Sequence, residues 1–123
     1  MCLIIDDTLT KQYIKRNIKK KKVIVWKCIE INSDKTMCSP YIGAKINFGW
    51  YKAQGKALCL YDDIYCRAVY RKGVIHVYRT RNAARSDGMG KVFKCYAYMK
   101  DFISAGQDED LAFTKIFIPK REL

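Results

Sequence analysis

The amino-acid sequence predicts an α+β fold: a single small domain over residues 1–123, with an antiparallel or mixed β-sheet and one or two short helices. Three observations lead there. Apolar and polar residues alternate with the period of a strand in several short runs, which together suggest about five to seven strands. Helical spacing recurs in only two places, near the N-terminus and after Thr80. No repeat or linker divides the chain, and a domain of this size buries roughly two-thirds of its unfolded surface without a metal or disulfide.

Taken in order, the first element is an amphipathic helix over about residues 8–20. Asp7 or Thr8 can cap it, and Leu9, Tyr13, Ile14 and Ile18 recur near helical spacing with lysines between them. Lys19, Lys20, Lys21 and Lys22 follow at its C-terminal end, where cations suit the helix dipole. Val23–Ile31, VIVWKCIEI, opens with four apolar residues and reads as a central strand covered on both faces, with Trp26 buried. Asn32–Lys35 is a turn. Cys38–Ile46 contains Ser39-Pro40 and Gly43 and reads as an irregular or edge segment, followed by a short strand near Lys45–Trp50 and a loop over Ala53–Ala57.

From Leu58 the alternation is plainer. Ile64, Cys66, Ala68 and Tyr70 face one way with Arg67 and Arg71 opposite. After Arg71-Lys72-Gly73, Val74, His76, Tyr78 and Thr80 alternate with Ile75, Val77 and Arg79, which predicts a hairpin. Thr80 then stands at a helix N-cap position before RNAARS and the breakers Asp87-Gly88, so a helix of barely two turns is expected. Lys91–Met99 is a strand, and Leu111–Ile118 is the last one before Pro119. The acidic stretch SAGQDEDL between them reads as a solvated loop.

The net charge is +12 and is unevenly placed. Residues 1–22 carry Lys11, Lys15, Arg16 and Lys19–Lys22 against Asp6 and Asp7, a net of +5. Residues 67–100 carry nine Lys and Arg against Asp87 alone, a net of +8, so the remainder sums to −1. Such a bias attracts nucleic acid, nucleotides, anionic lipid or an acidic protein. The six cysteines contain no CxxC spacing, and a lone His76 cannot complete a Cys/His zinc pattern. No metal and no cofactor are expected. MCLII is too short for a signal-peptide core and no apolar run approaches the roughly 20 residues of a membrane span, so reduced cysteines and a cytoplasmic location are expected.

Two constellations suggest a ligand. Arg79, Arg81, Asn82 and Arg85, followed by Gly88, Gly90 and Lys91, could cradle phosphate through forked guanidinium donors and closely approached backbone N–H groups. The aromatic set Trp50, Tyr51, Tyr61, Tyr65, Tyr70, Tyr78, Phe93, Tyr96 and Tyr98 is interleaved with basic residues, the pattern by which single-stranded nucleic acid and nucleotides are held. About half of these rings should serve the core. Tyr78, beside Arg79, is the choice for stacking on a base. His76, with no carboxylate near it in sequence, reads as a packed strand residue and not as a general base.

Trp26-Lys27 on an early strand, Gly73 with His76 and Tyr78 in the middle, and Gln107-Asp108-Glu109 near the end resemble, in order, the three-part pattern of ADP-ribosyltransferases. That resemblance implies a nicotinamide dinucleotide substrate and a catalytic role for Glu109. Along the whole chain, MCL, the VIVWK strand, SPY, a GW pair, GVIHVYRTRNAA, KVFKCYAY, DFISAG and AFTKIFIP resemble small uncharacterised proteins of bacteriophages and prophages. The resemblance implies an accessory protein that acts by occupying a host component.

The sequence-level expectation is therefore a non-catalytic, phage-type antagonist of host defence that sequesters an anionic nucleotide signal, with Tyr78, Arg79, Arg81, Asn82, Arg85 and Lys91 as ligand-binding residues. One alternative is an anti-CRISPR-like or nucleic-acid-binding inhibitor of a host nuclease, meeting nucleic acid or an acidic host protein through Lys19–Lys22. The other is the transferase. A symmetric homo-oligomer is one way for so short a chain to build a pocket.

Overall fold

Asp6 starts the first helix. In the computed structural model, which describes residues 3–39, 45–62, 67–86 and 90–123, with the backbone alone for 58–62 and 67–72, its Oδ1 accepts from the Leu9 backbone N–H at 2.9 Å. The cap therefore lies just before Asp7 and Thr8. A two-residue strand β1 (Leu3–Ile4) precedes α1 (Asp7–Asn17), which is shorter than expected. Its buried positions are Tyr13 and Asn17, one helical turn apart. Ile14 and Ile18 sit about 100° further round and are exposed.

The centre of the fold is β2 (Lys22–Ile31), paired along its length with β9 (Lys91–Tyr98) and through Trp26 and Tyr78 with β8 (Ile75–Tyr78). Beyond β8 come β11 (Asp110–Phe113) and β10 (Phe102–Ala105); beyond β9 come β12 (Lys115–Ile118) and β5 (Gly49–Lys52). The short strands β3 (Met37–Cys38) and β4 (Lys45–Ile46) extend the far end of β2. A separate antiparallel ladder joins β1, β7 (Arg67–Lys72) and β6 (Leu58–Asp62), and meets the larger sheet through a bridge between Ile5 and Gly106. The α+β class is as expected. The strands outnumber the expected five to seven because several are only two to four residues long.

The last strand is two. β11 and β12 are separated by Thr114 alone, yet they pair on opposite sides of β2, with β8 and β9 respectively. The sheet must therefore curl strongly, and Thr114 marks the break, donating its N–H to Asp101 O at 2.9 Å. Val25, Val77, Cys95, Phe113 and Ile116 point inward and are fully buried. Alternation places Lys22, Ile24, Trp26 and Cys28 on the outer face of β2. Ile24 is 47 % exposed there, so the strand is not covered on both faces as the apolar run implied. Trp26 is only half-buried.

The expected hairpin around Arg71-Lys72-Gly73 does not form. β7 pairs with β6 and β1, whereas β8 pairs with β11 and β2. Gly73, at φ +77, stands where the chain passes from one sheet to the other, packed against the Lys56 carbonyl with no room for a Cβ. The second helix α2 (Arg81–Ser86) is the short one expected, with Thr80 Oγ accepting from Ala83 N at 3.1 Å. Ala84 docks it on the outer face against Cys28 and Tyr78. Pro40, Gly43, Ile64, Tyr65, Cys66 and Asp87-Gly88 lie outside the described residues, as do the side chains of Tyr61 and Tyr70.

Candidate nucleic-acid interface

The half of the outer face that α2 leaves uncovered carries a row of rings. Register aligns Ile24 with Tyr96, Tyr96 with Phe117 and Phe117 with Trp50, so four neighbouring strands contribute one side chain each to a line crossing the sheet. Ile24 and Trp50 are about half exposed, at 47 % and 48 %. Single exposed apolar residues are common on protein surfaces, whereas a contiguous apolar patch such as this row marks an interaction site. Two residues along, Lys22 stands opposite Tyr98 and Lys115 opposite Lys52.

The rings are in contact with one another. Trp50 stacks on Tyr98, centroids 5.5 Å apart at 25°, and meets Phe117 edge-on at 5.2 Å. Cations lie over them: Lys22 Nζ is 4.7 Å from the Tyr96 centroid, Lys115 Nζ 4.5 Å from Trp50 and Lys100 Nζ 5.6 Å from Tyr98. Lys94 approaches Tyr96 from further off, at 6.0 Å. A shallow cleft of about 330 Å³ runs between Lys22, Trp50, Tyr96, Tyr98 and Phe117. Aromatic faces with lysines around them suit bases and phosphates together.

The residues expected to form a phosphate cradle are divided. Tyr78 is 5 % exposed, packed with Cys28 and Ala84 beneath α2, so its ring offers no face to a base. Arg79 Nη2 donates to Glu109 Oε1 at 2.7 Å, and its backbone N–H donates to Glu109 O at 2.8 Å. Its side chain lines a groove of about 160 Å³ with Leu9, Gln12, Tyr13 and Arg16 of α1. Arg81, Asn82 and Arg85 are exposed on α2, which packs on β2 and β9 instead, and Lys91 is exposed at the start of β9. Gly90, at φ +80, is required by packing: a Cβ there would lie 2.6 Å from the Ile29 carbonyl oxygen. Of the lysine run, Lys19–Lys21 are exposed beyond α1, and Lys22 alone reaches the ring row, over Tyr96 from the neighbouring row.

Comparison with protein-family models, with curated proteins and with solved structures returned no match.

The acidic stretch is built into the fold. Glu109 takes a left-handed conformation, φ 60, at the tip of the β10–β11 turn, and also accepts from Thr80 Oγ at 3.3 Å. Asp110 is buried; its Oδ2 lies 2.9 Å from His76 Nε2 and its Oδ1 accepts from Asp108 N at 3.2 Å. Lys27, also buried, donates from Nζ to His76 O at 2.9 Å. Lys27, His76 and Glu109, from the three transferase-like fragments, thus fall on or beside the adjacent strands β2, β8 and β11. Burial raises the Tyr13 hydroxyl to about 12, the nearby Arg79 opposing it. Among the described residues, no helix is long and apolar enough to cross a membrane, and no group of three His, Cys, Asp or Glu side chains is placed to hold a metal.

Sequence reading passed over Lys94, Lys100, Lys115 and Phe117 as ligand contacts. Part of the signal was present. Lys94, Tyr96 and Tyr98 alternate along one strand and must share a face. What could not be read was that Lys22, Trp50 and Phe117, from three distant strands, join them.

Proposed function

We propose that this protein is a non-catalytic binder of single-stranded, phosphate-bearing nucleic acid, and that it uses the outer sheet face formed by Lys22, Trp50, Tyr96, Tyr98, Lys115 and Phe117. The observation that carries this reading is the aromatic line of Tyr96, Phe117 and Trp50 across three neighbouring strands, with Tyr98 beside it and a cation over each of Trp50, Tyr96 and Tyr98. Bases stack on such rings without sequence preference, each contributing roughly 1–3 kcal/mol, while the lysines meet the backbone. A duplex hides its base faces and gains only the charge term. Two residues along a strand is about 7 Å, which separates the ring row from the row of Lys22, Lys115 and Lys52 by a distance suited to a base and its own phosphate.

A nucleotide signal would engage the same rings, and the phage-type setting suggested by the whole-chain resemblance accommodates either ligand. Strand length separates them. From Tyr96 to Trp50 the ring row follows the surface for roughly 10 Å, two inter-strand spacings of about 4.8 Å. A stacked strand advances about 3.4 Å per nucleotide, so the row takes at most about three bases. The test is a fluorescence titration of a series of oligonucleotides of increasing length against a matched duplex, repeated with Trp50→Ala/Tyr96→Ala. Single strands should bind more tightly than the duplex, affinity should level off once the row is filled, and the double variant should lose at least about tenfold. Equal binding of duplex and single strand, undiminished in the variant, would sink the proposal.

A further inference from the structure

Three rings of the outer face, Trp50, Tyr96 and Tyr98, are already occupied from within the chain. Lys115 Nζ stands 4.5 Å from the Trp50 centroid, Lys22 Nζ 4.7 Å from that of Tyr96, and Lys100 Nζ 5.6 Å from that of Tyr98. A base cannot lie on a ring face that an ammonium group covers. The lysine must leave first.

We infer that these lysines are ring caps that a phosphate draws off, so that the face admits a base only when the base arrives with its phosphate. The inference rests on the reading of this face as a nucleic-acid interface and deepens it by specifying the ligand: a phosphorylated nucleoside unit, free or in a strand, but not a bare nucleoside. A cation over an exposed ring is held weakly, whereas a charge-assisted hydrogen bond to phosphate is stronger, so the exchange runs downhill when phosphate is present. Lysine suits the exchange because its four-carbon stem is flexible and its ammonium group is a compact point charge that can pivot from ring to phosphate. Lys22 and Lys115 are placed for this, on the row of residues next to the ring row on their respective strands. With a bare nucleoside no phosphate compensates the displaced cation, and stacking on the ring comes at the expense of the resident contact.

The capping makes the responses of two ligands to one change run in opposite directions. Lys22→Ala/Lys115→Ala uncovers Tyr96 and Trp50 and removes two phosphate contacts. Adenosine and a short adenine oligonucleotide are titrated against the parent chain and this variant, with tryptophan fluorescence in a Trp26→Phe background, where Trp50 is the remaining tryptophan, as the signal and circular dichroism to verify folding. Adenosine affinity should rise several-fold in the variant, while oligonucleotide affinity falls by at least about tenfold. If both affinities fall together, or if adenosine affinity does not change, the lysines are ordinary phosphate contacts and the capping inference is wrong, while the interface reading stands. If the parent chain binds neither ligand, the interface reading itself fails and the inference with it. Lys94→Ala, which alters the most distant cation, 6.0 Å from Tyr96, should reproduce the oligonucleotide loss only weakly and should not raise adenosine affinity.

Discussion

His76 Nε2 lies 2.9 Å from Asp110 Oδ2, although the two residues are 34 positions apart in sequence. The contact bridges β8 and β11 on the outer face, and the same carboxylate braces the β10–β11 turn through its other oxygen. Gly106 is part of that arrangement, since an added Cβ would collide with Asp110 Oδ1. One carboxylate thus ties a strand pair to a turn.

Removing that carboxylate should cost stability and spare binding. Asp110→Ala leaves His76 and the Asp108 N–H without this acceptor, and a loss of about 2–3 kcal/mol in urea denaturation is expected. Asp110→Asn keeps an acceptor in place and should cost less. Neither variant should change affinity for single-stranded oligonucleotides, because Asp110 is away from the ring row.

Gly90 and Gly55 provide a matched comparison. Both have positive φ, +80 and +74, but a Cβ at Gly90 meets the Ile29 carbonyl, whereas none would meet any atom within 4 Å at Gly55. Gly55→Ala should cost only the backbone strain, about 1 kcal/mol, and Gly90→Ala distinctly more. Thermal unfolding of the two variants side by side checks the order.

The arginines of the expected cradle should contribute little to affinity. Arg79 is engaged with Glu109 in a pair that is close to half exposed on both sides, so Arg79→Ala should cost under about 1 kcal/mol of stability. Arg81→Ala/Arg85→Ala removes two exposed cations from α2, and oligonucleotide affinity should stay within about threefold of the parent chain. A loss of tenfold or more in the double variant would return the ligand to α2.

Two buried groups predict behaviour at high pH. The Tyr13 hydroxyl titrates near 10 when solvated and near 12 in the fold, raised by burial. The unfolded chain therefore ionises first, and stability is retained below about pH 10 and declines as pH rises from there through about 12. Tyr13→Phe should flatten that decline in urea midpoints measured across the range. Burial also pushes the Cys95 thiol up to about 12, so alkylation of native protein near neutral pH, read by peptide mapping, should leave Cys95 unmodified until denaturant is added.

The sequence by itself determined the local elements. Period-two alternation marked β8 and β9, the apolar run marked β2, and Thr80 marked the start of α2, because each depends on neighbours within a few residues. It also disclosed that cations and aromatics share strands. Only the tertiary structure decided which strands are neighbours, and that choice sorted the candidates. A curled sheet buried Tyr78 under α2, turned Arg79 toward Glu109 and α1, and left Trp50, Tyr96 and Phe117 in one line. Partner choice follows from how inward-facing side chains from distant segments fill a common core, such as Val25, Phe113 and Ile116, and no local pattern encodes it. The His76–Asp110 contact and the lysine-capped rings are consequences of that packing. They could be seen only once the strands had met.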